Sequence, residues 1–188
     1  SPGCGTLTFM KRFLALMALI LLPSVAGAAT LRADDSLNLS EAPLGNAYLA
    51  GAEVTVDVPL PADLLAAAGA ILVNAPVAGD AFLLAGSVTA VSPVAGDVRV
   101  AGAKVRIDGD VSGELAALAG TLTVNGKAGE VRAAGGTVEF RAGAAGPVTI
   151  YGGSVTLSGE FMGDVRVVAS DHVSLGDGTI IHGSFDYN

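Results

Sequence analysis

The residues of this sequence best suited to chemistry are acids that each follow a glycine at regular intervals. They recur about every 17 residues, except that Pro147 takes the place of one acid, and they are Asp80, Asp97, Glu114, Glu130 and Asp164. If the fold stacks these positions, the carboxylates lie about 5 Å apart, close enough to repel one another or to share Ca²⁺. We favour the alternative that an acid after glycine is a turn residue, with Arg99, Arg132 and Arg166 diluting the charge two residues later.

Other reactive residues are few. The two histidines, His172 and His182, lack the third ligand that a zinc site needs, so we expect them on turns or the surface. The single cysteine, Cys4, precedes the main body of the sequence. Neither a phosphate-cradling G-x-x-x-x-G-K-[ST] loop nor a G-x-S-x-G elbow is present. We therefore expect a protein that is not an enzyme and that has no metal, nucleotide or cofactor.

The elements that carry these residues are copies of one unit, in which two small residues are followed by an x-apolar-x-apolar run. The first apolar residue of each copy steps along the chain by 17, 17, 17, 17, 16, 17 and 18 residues. These positions, which we predict to form an inward core ladder, are Val54, Ile71, Val88, Val105, Leu122, Val138, Val155 and Val173. Such a period marks a repeat protein whose units stack to bury their apolar sides.

The repeat predicts an all-β fold, a single-stranded parallel β-helix of about eight coils of ~17 residues. Apolar residues alternate with outward ones in the manner of strands with one buried face, and glycine is too frequent for helices. Three apolar clusters per coil predict three short strands. Inward spacings near five, six and six residues break the strict hexad of left-handed solenoids, so we expect a right-handed coil.

The N-terminal region has the pattern of a secretory signal peptide. Lys11 and Arg12 precede an apolar run over 13–22, and small residues follow at 26–28. We expect cleavage after Ala28, with an uncleaved membrane anchor as the alternative. The resulting division is an upstream extension plus signal at 1–28, a lead-in or cap at 29–44, and a β-solenoid domain at 45–188. The formal net charge of −8 argues against nucleic acid as a partner, since phosphate contacts need clustered cations.

Two cassettes carry a family resemblance: Gly-Asp-Val-Arg-Val-Ala-Gly at 96–102 and Gly-Asp-Val-Arg-Val at 163–167. With the turn at 108–111 and the run at 152–159, they resemble the bactofilins, the polymer-forming cytoskeletal proteins of bacteria. The resemblance covers roughly residues 45–183. It implies a right-handed triangular β-helix that joins end to end into filaments without nucleotide and scaffolds envelope or cell-wall machinery. The export signal predicts a relative placed in the periplasm or cell envelope.

We therefore expect a non-enzymatic structural protein that self-associates as an oligomer or filament. The alternative is an exported binding module or adhesin for polysaccharide or a protein partner. A polysaccharide lyase is a third possibility, but the near-constant step leaves no long loops to build a cleft. The candidate self-association residues are the apolar ones at the C-terminal side, either tucked over the last coil or buried against another chain: Ile180, Ile181, Phe185 and Tyr187.

Overall fold

The computed structural model describes residues 29–188 of the 188-residue chain, and the signal peptide predicted at 1–28 lies outside them. Every regular element in this part of the chain is a β-strand. The strands are β1 Thr30–Leu39, β2 Ala47–Val56, β3 Leu64–Val73, β4 Ala81–Ala90, β5 Val98–Ile107, β6 Val111–Val124, β7 Ala128–Phe140, β8 Gly143–Ala144, β9 Val148–Leu157, β10 Glu160–Phe161, β11 Val165–Leu175, β12 Ile180–Ile181 and β13 Phe185–Tyr187.

The strands stack as a parallel β-solenoid, which confirms the predicted fold class. Each long strand pairs in parallel with its counterpart one coil away, as Val98 pairs with Ala81 before it and Leu115 after it. The irregular steps in the sequence correspond to two register shifts. The 16-residue step falls between Val111 and Glu114, and the 18-residue step falls between Ala169 and His172. The handedness of the coil stays a prediction.

The solenoid has about nine coils, one more than the eight that the sequence repeat predicts. The additional coil is β1, in the range expected to be a lead-in, where Leu37 pairs with Val54 at the usual 17-residue offset. Asp34 and Asp35 occupy the positions where the other coils have their pair of small residues. Because of these two acids, the sequence pattern did not reveal this copy of the repeat. Leu44, the last residue of the predicted lead-in or cap, is 90% exposed.

Each coil has three faces, but the first two belong to one strand. In β5, residues 98–101 form the first face and residues 104–107 the second, and the small pair Gly102–Ala103 bends the strand between them. A Cβ at Gly102 would lie 2.5 Å from the carbonyl oxygen of Ala85, so the bend brings successive coils into close approach. The prediction of three separate strands is therefore wrong for these two faces. On the third face, short bridges join Leu60, Val77, Val94 and Val111.

The core runs along the axis and is wholly apolar: within residues 29–188 no polar or charged side chain is buried. Seven members of the predicted ladder are buried and pair from coil to coil, namely Val54, Ile71, Val88, Val105, Leu122, Val138 and Val155. The eighth, Val173, is partly buried because it lies on the last strand of the second face. Each fully buried aliphatic side chain contributes about 1.5–3 kcal/mol.

Candidate functional site

The predicted acid array is a corner structure that holds successive coils together. The backbone N–H of Asp80 donates to Asp63 Oδ1 at 3.0 Å, that of Asp97 to Asp80 Oδ1 at 2.9 Å, and that of Glu114 to Asp97 Oδ1 at 2.9 Å. Each carboxylate thus accepts a hydrogen bond from the backbone N–H at the same corner of the next coil, as side chains do in turns and helix caps. The series begins two coils earlier than the glycine pattern indicated, at Asn46, whose Oδ1 accepts the Asp63 N–H.

The last members of the array have other partners. Glu130 pairs with Arg132 at 2.8 Å, and Arg132 also reaches Glu114 at 3.4 Å. Asp164 Oδ1 accepts the backbone N–H and the hydroxyl of Ser184, each at 2.8 Å, and these bonds hold the pKa of Asp164 below its usual range. Across residues 29–188, no group of three or more His, Cys, Asp or Glu residues is placed to hold a metal ion.

The two histidines pair separately with acids. His182 Nε2 lies 2.9 Å from Glu160 Oε1. His172 Nδ1 lies 3.0 Å from Asp171 Oδ2 and 3.3 Å from Ser154 Oγ. A nucleophilic triad needs the serine on one ring nitrogen and the acid on the other, whereas here both approach the same nitrogen. Hydrogen bonds from Ser154 first and His172 second lower the pKa of Asp171, and the arrangement is an exposed polar cluster.

The outward side chains of the first face form a surface that sequence reasoning did not identify, and we call it the apolar face. It is defined by two residues on each long strand, one rung per coil: Leu31 and Ala33, Tyr48 and Ala50, Leu65 and Ala67, Phe82 and Leu84, Arg99 and Ala101, Ala116 and Leu118, Arg132 and Ala134, Thr149 and Tyr151, and Arg166 and Val168. None of these positions holds an acid, although Asp186 on β13 continues the column of Arg166 at the end of the face. Large apolar side chains here are about half exposed, including Phe82, Leu84 and Tyr151.

A groove of about 650 Å³ crosses the middle of the apolar face. Alanines at 101, 116 and 134 lie low between Phe82 and Leu84 on one side and Tyr151 on the other. The arginines along this face turn towards neighbouring acids. Arg99 lies 3.2 Å from Asp97 at the corner, and Arg166 lies 3.9 Å from Asp186, its register partner in the same column on β13. Their charges are thereby balanced, and what the groove offers is mainly apolar.

The second face has the opposite character. Its outward positions are mostly Ser, Thr or charged, as at Ser87, Thr89, Lys104, Arg106, Thr121 and Thr123, and β3 alone carries two apolar residues there, Ala70 and Leu72. Polar outward residues are ordinary for a half-buried sheet. The contrast between two faces built on the same strands therefore marks the apolar face as a surface for contact.

The C-terminal end of the rod is a second exposed apolar surface, and we call it the rod end. The tail continues the coil, since β12 pairs with β10 and β13 pairs with β11. Ile181 and Phe185 are partly buried against the core. Ile180 points outward and is 52% exposed, while Tyr187, in the inward column over Val167, is 65% exposed and stacks on Phe185 with ring centroids 5.2 Å apart.

The second face stops one rung before the first at this end. β13 adds a rung to the first face, but within residues 29–188 no strand pairs with the outer edge of 172–175. Leu175 occupies an inward column and is 48% exposed, whereas Leu157, its partner one coil earlier, is 0% exposed. The rod end therefore presents an open strand edge beside an open apolar core.

Comparisons with protein-family models, with curated proteins and with solved structures find no match to this chain. Over residues 29–188, no helix is present that has the length and apolar character to cross a membrane.

Proposed function

We propose that this protein is a non-enzymatic structural protein that self-associates end to end through the rod end. The observation that carries the proposal is the exposure of Leu175, in a column whose preceding member is fully buried. An uncovered core and an unpaired strand edge are the features that stacked repeats normally hide with a polar cap. A further strand laid along residues 172–175 would cover both.

The assembly is of the bactofilin-like kind, in which solenoid rods join without nucleotide, and its place is the cell envelope after export. The supporting features are the Gly-Asp-Val-Arg-Val cassettes, the 17-residue coil and the basic-apolar pattern before Ala28. A rod whose coils over residues 29–188 are regular and joined without long loops suits a scaffold better than a catalyst, because active sites are mostly built from loops. Envelope or cell-wall components are its expected partners.

Substitutions at exposed positions of the rod end test the proposal. Leu175→Lys combined with Tyr187→Lys adds two charges where the side chains are already exposed, so each rod should stay folded. We expect the variant to lose end-to-end association in sedimentation velocity, while circular dichroism matches the parent. Ile181 and Phe185 are less suitable, since they pack on the core and their loss would loosen the last coil.

The matched control is Thr156→Lys, whose side chain lies on the outward side of the polar second face one coil before the open edge at 172–175. It should sediment like the parent. A parent that is monomeric at high concentration, or a double variant that associates as well as the parent, would refute association through this end. Monomeric rods that bind polysaccharide would favour the binding-module alternative.

A further inference from the structure

Large and small side chains share the rungs of the apolar face in a regular way. In six of the nine rungs one outward residue is alanine and the other is large, as in Leu65 with Ala67, Arg99 with Ala101, and Ala116 with Leu118. The larger member comes first in five of the six, and β6 reverses the order. The first column of outward residues therefore forms a ridge of large side chains along most of the face, and the second column forms a hollow lined by alanines.

We propose that the apolar face binds the same face of a second copy of this chain, with the two rods side by side and parallel. A two-fold axis along the rod direction brings the faces together and reverses the strands. The first outward residue of each rung then meets the second outward residue of the same rung in the partner. Leu65 enters the hollow at the second copy's Ala67, and Leu118 enters the hollow at its Ala116. Sheets packed face to face interdigitate in this manner.

An antiparallel pair fits the same residues poorly. A two-fold axis along the strands through β5 would place the first column against itself in reverse order, setting Leu65 against Arg132 and Arg99 against Arg99. In the second column it would set Ala67 against Ala134 and Ala101 against Ala101, which leaves gaps. Since close packing without voids is what makes an apolar contact stable, the rung pattern selects the parallel arrangement.

The charges on this face also suit a copy of itself better than an anionic glycan. The carboxylates of Asp97 and Glu130 already neutralise Arg99 and Arg132 from the corners. In the parallel pair the stems of Arg99 and Arg132 cover the partner's Ala101 and Ala134 while their guanidinium groups stay at the rim, and long cations commonly pack in this way. An incoming acidic sugar would have to compete with these ion pairs.

The size of the face is adequate for a dimer. Nine rungs at ~4.8 Å and four residues at ~3.3 Å give about 500 Å² per copy, or about 1,000 Å² in total, near the lower bound for a specific interface. Parallel rods expose the same end in the same direction, so lateral pairing is compatible with end-to-end growth. This contact deepens the proposed self-association but uses a different surface, and the two can therefore fail separately.

Sedimentation equilibrium of the 188-residue chain tests the lateral contact. Leu118→Lys, on the apolar face of β6, should lower the association constant at least tenfold, and Thr121→Lys on the second face of the same strand is the matched control. A parent that does not pair at about 100 µM, or a Leu118→Lys variant that pairs as well as the control, would overturn the proposal. Pairing that occurs only when glycan or lipid vesicles are added would also overturn the proposal.

Orientation is tested by thiol cross-linking in a Cys4→Ser background. Equimolar Leu65→Cys and Ala67→Cys chains should be joined by a bismaleimide that spans about 10 Å, since these positions meet across the parallel two-fold axis and facing sheets lie about 10 Å apart, too far for a direct disulfide. Failure of this mixed pair to cross-link, with efficient coupling of Leu65→Cys to Arg132→Cys, which lie opposite each other when the nine rungs pair antiparallel, would overturn the parallel arrangement. The Leu175→Lys/Tyr187→Lys variant separates the two proposals: it should still pair laterally, and loss of filaments alone leaves the lateral contact standing.

Discussion

Each residue of a coil lies in a column of equivalent positions, with one neighbour in the coil above and one in the coil below. The effect of a residue on stability therefore depends on its column. An inward position is surrounded by apolar side chains from three faces. Within residues 29–188 no buried polar side chain is present to pair with a polar group introduced there. An outward position meets solvent and its two column neighbours. The consequence of a substitution therefore depends far more on which side of the strand it falls than on which coil it occupies.

Val105→Asp should destabilise the fold severely. Val105 is 1% exposed in the middle of the core ladder, so the variant buries an unpaired carboxylate and should lose at least about 4 kcal/mol in the free energy of unfolding. Urea denaturation measures the loss. Lys104→Asp, one residue earlier and exposed, should change stability by less than about 0.5 kcal/mol, and equal melting of Val105→Asp and the parent would contradict the register.

Asp108 gives the fold a dependence on acid pH. A hydrogen bond from Arg106 Nε is the main cause that lowers the pKa of Asp108 in the folded chain. A carboxylate with a depressed folded pKa stabilises above its unfolded pKa, about 3.9, and the contribution is lost as pH falls through the folded value. The parent should exceed Asp108→Asn in stability at pH 7 by under about 1 kcal/mol, since the pair is near the surface.

Thermal melts of both proteins across pH check this. The gap should narrow below about pH 4, where protonation removes the parent's advantage. A gap that stays constant down to pH 2 would show that the pairing of Asp108 with Arg106 does not stabilise the fold.

At the scale of elements, the coil could be predicted from sequence because core positions recur with the period of the fold. The strand boundaries could not, since small pairs such as Gly102–Ala103 suggest a break yet bend one continuous strand. The repeat copy in β1 was not recognised in the sequence because Asp34 and Asp35 replace the small pair. This replacement is tolerated because the two positions are exposed and lie near an end of the stack. Corner acids were found, but their hydrogen bonds depend on a geometry that spacing alone does not define.

Asp80→Ala tests the corner acids as coil-to-coil links. Loss of the Asp80 side chain leaves the Asp97 amide without its acceptor and should cost about 1 kcal/mol. Asp80→Asn keeps an acceptor oxygen and should cost less. The denaturation midpoints of the two variants measure these losses. A midpoint that rises with added Ca²⁺, in the parent or in either variant, would instead support the interpretation in which the carboxylates share a cation.

At the scale of the whole molecule, the apolar face was the least predictable feature, whereas the rod end was predicted in part. Phe82, Leu84, Leu118 and Tyr151 each occupy an outward x position, and single apolar residues at such positions are common on any surface. They become a surface only when the 17-residue register brings them onto one face. At the rod end, Ile181 and Phe185 are tucked against the core, while Leu175 and Tyr187 remain exposed.

Electron microscopy of the purified chain tests the central claim, that these rods assemble through the rod end, most directly. Nine coils at ~4.8 Å give a rod about 40 Å long, so filaments much longer than this can arise only by joining rods. We expect such filaments in the parent and in Thr156→Lys, and short particles in Leu175→Lys/Tyr187→Lys. Isolated rods about 40 Å long in the parent at high protein concentration would contradict the claim.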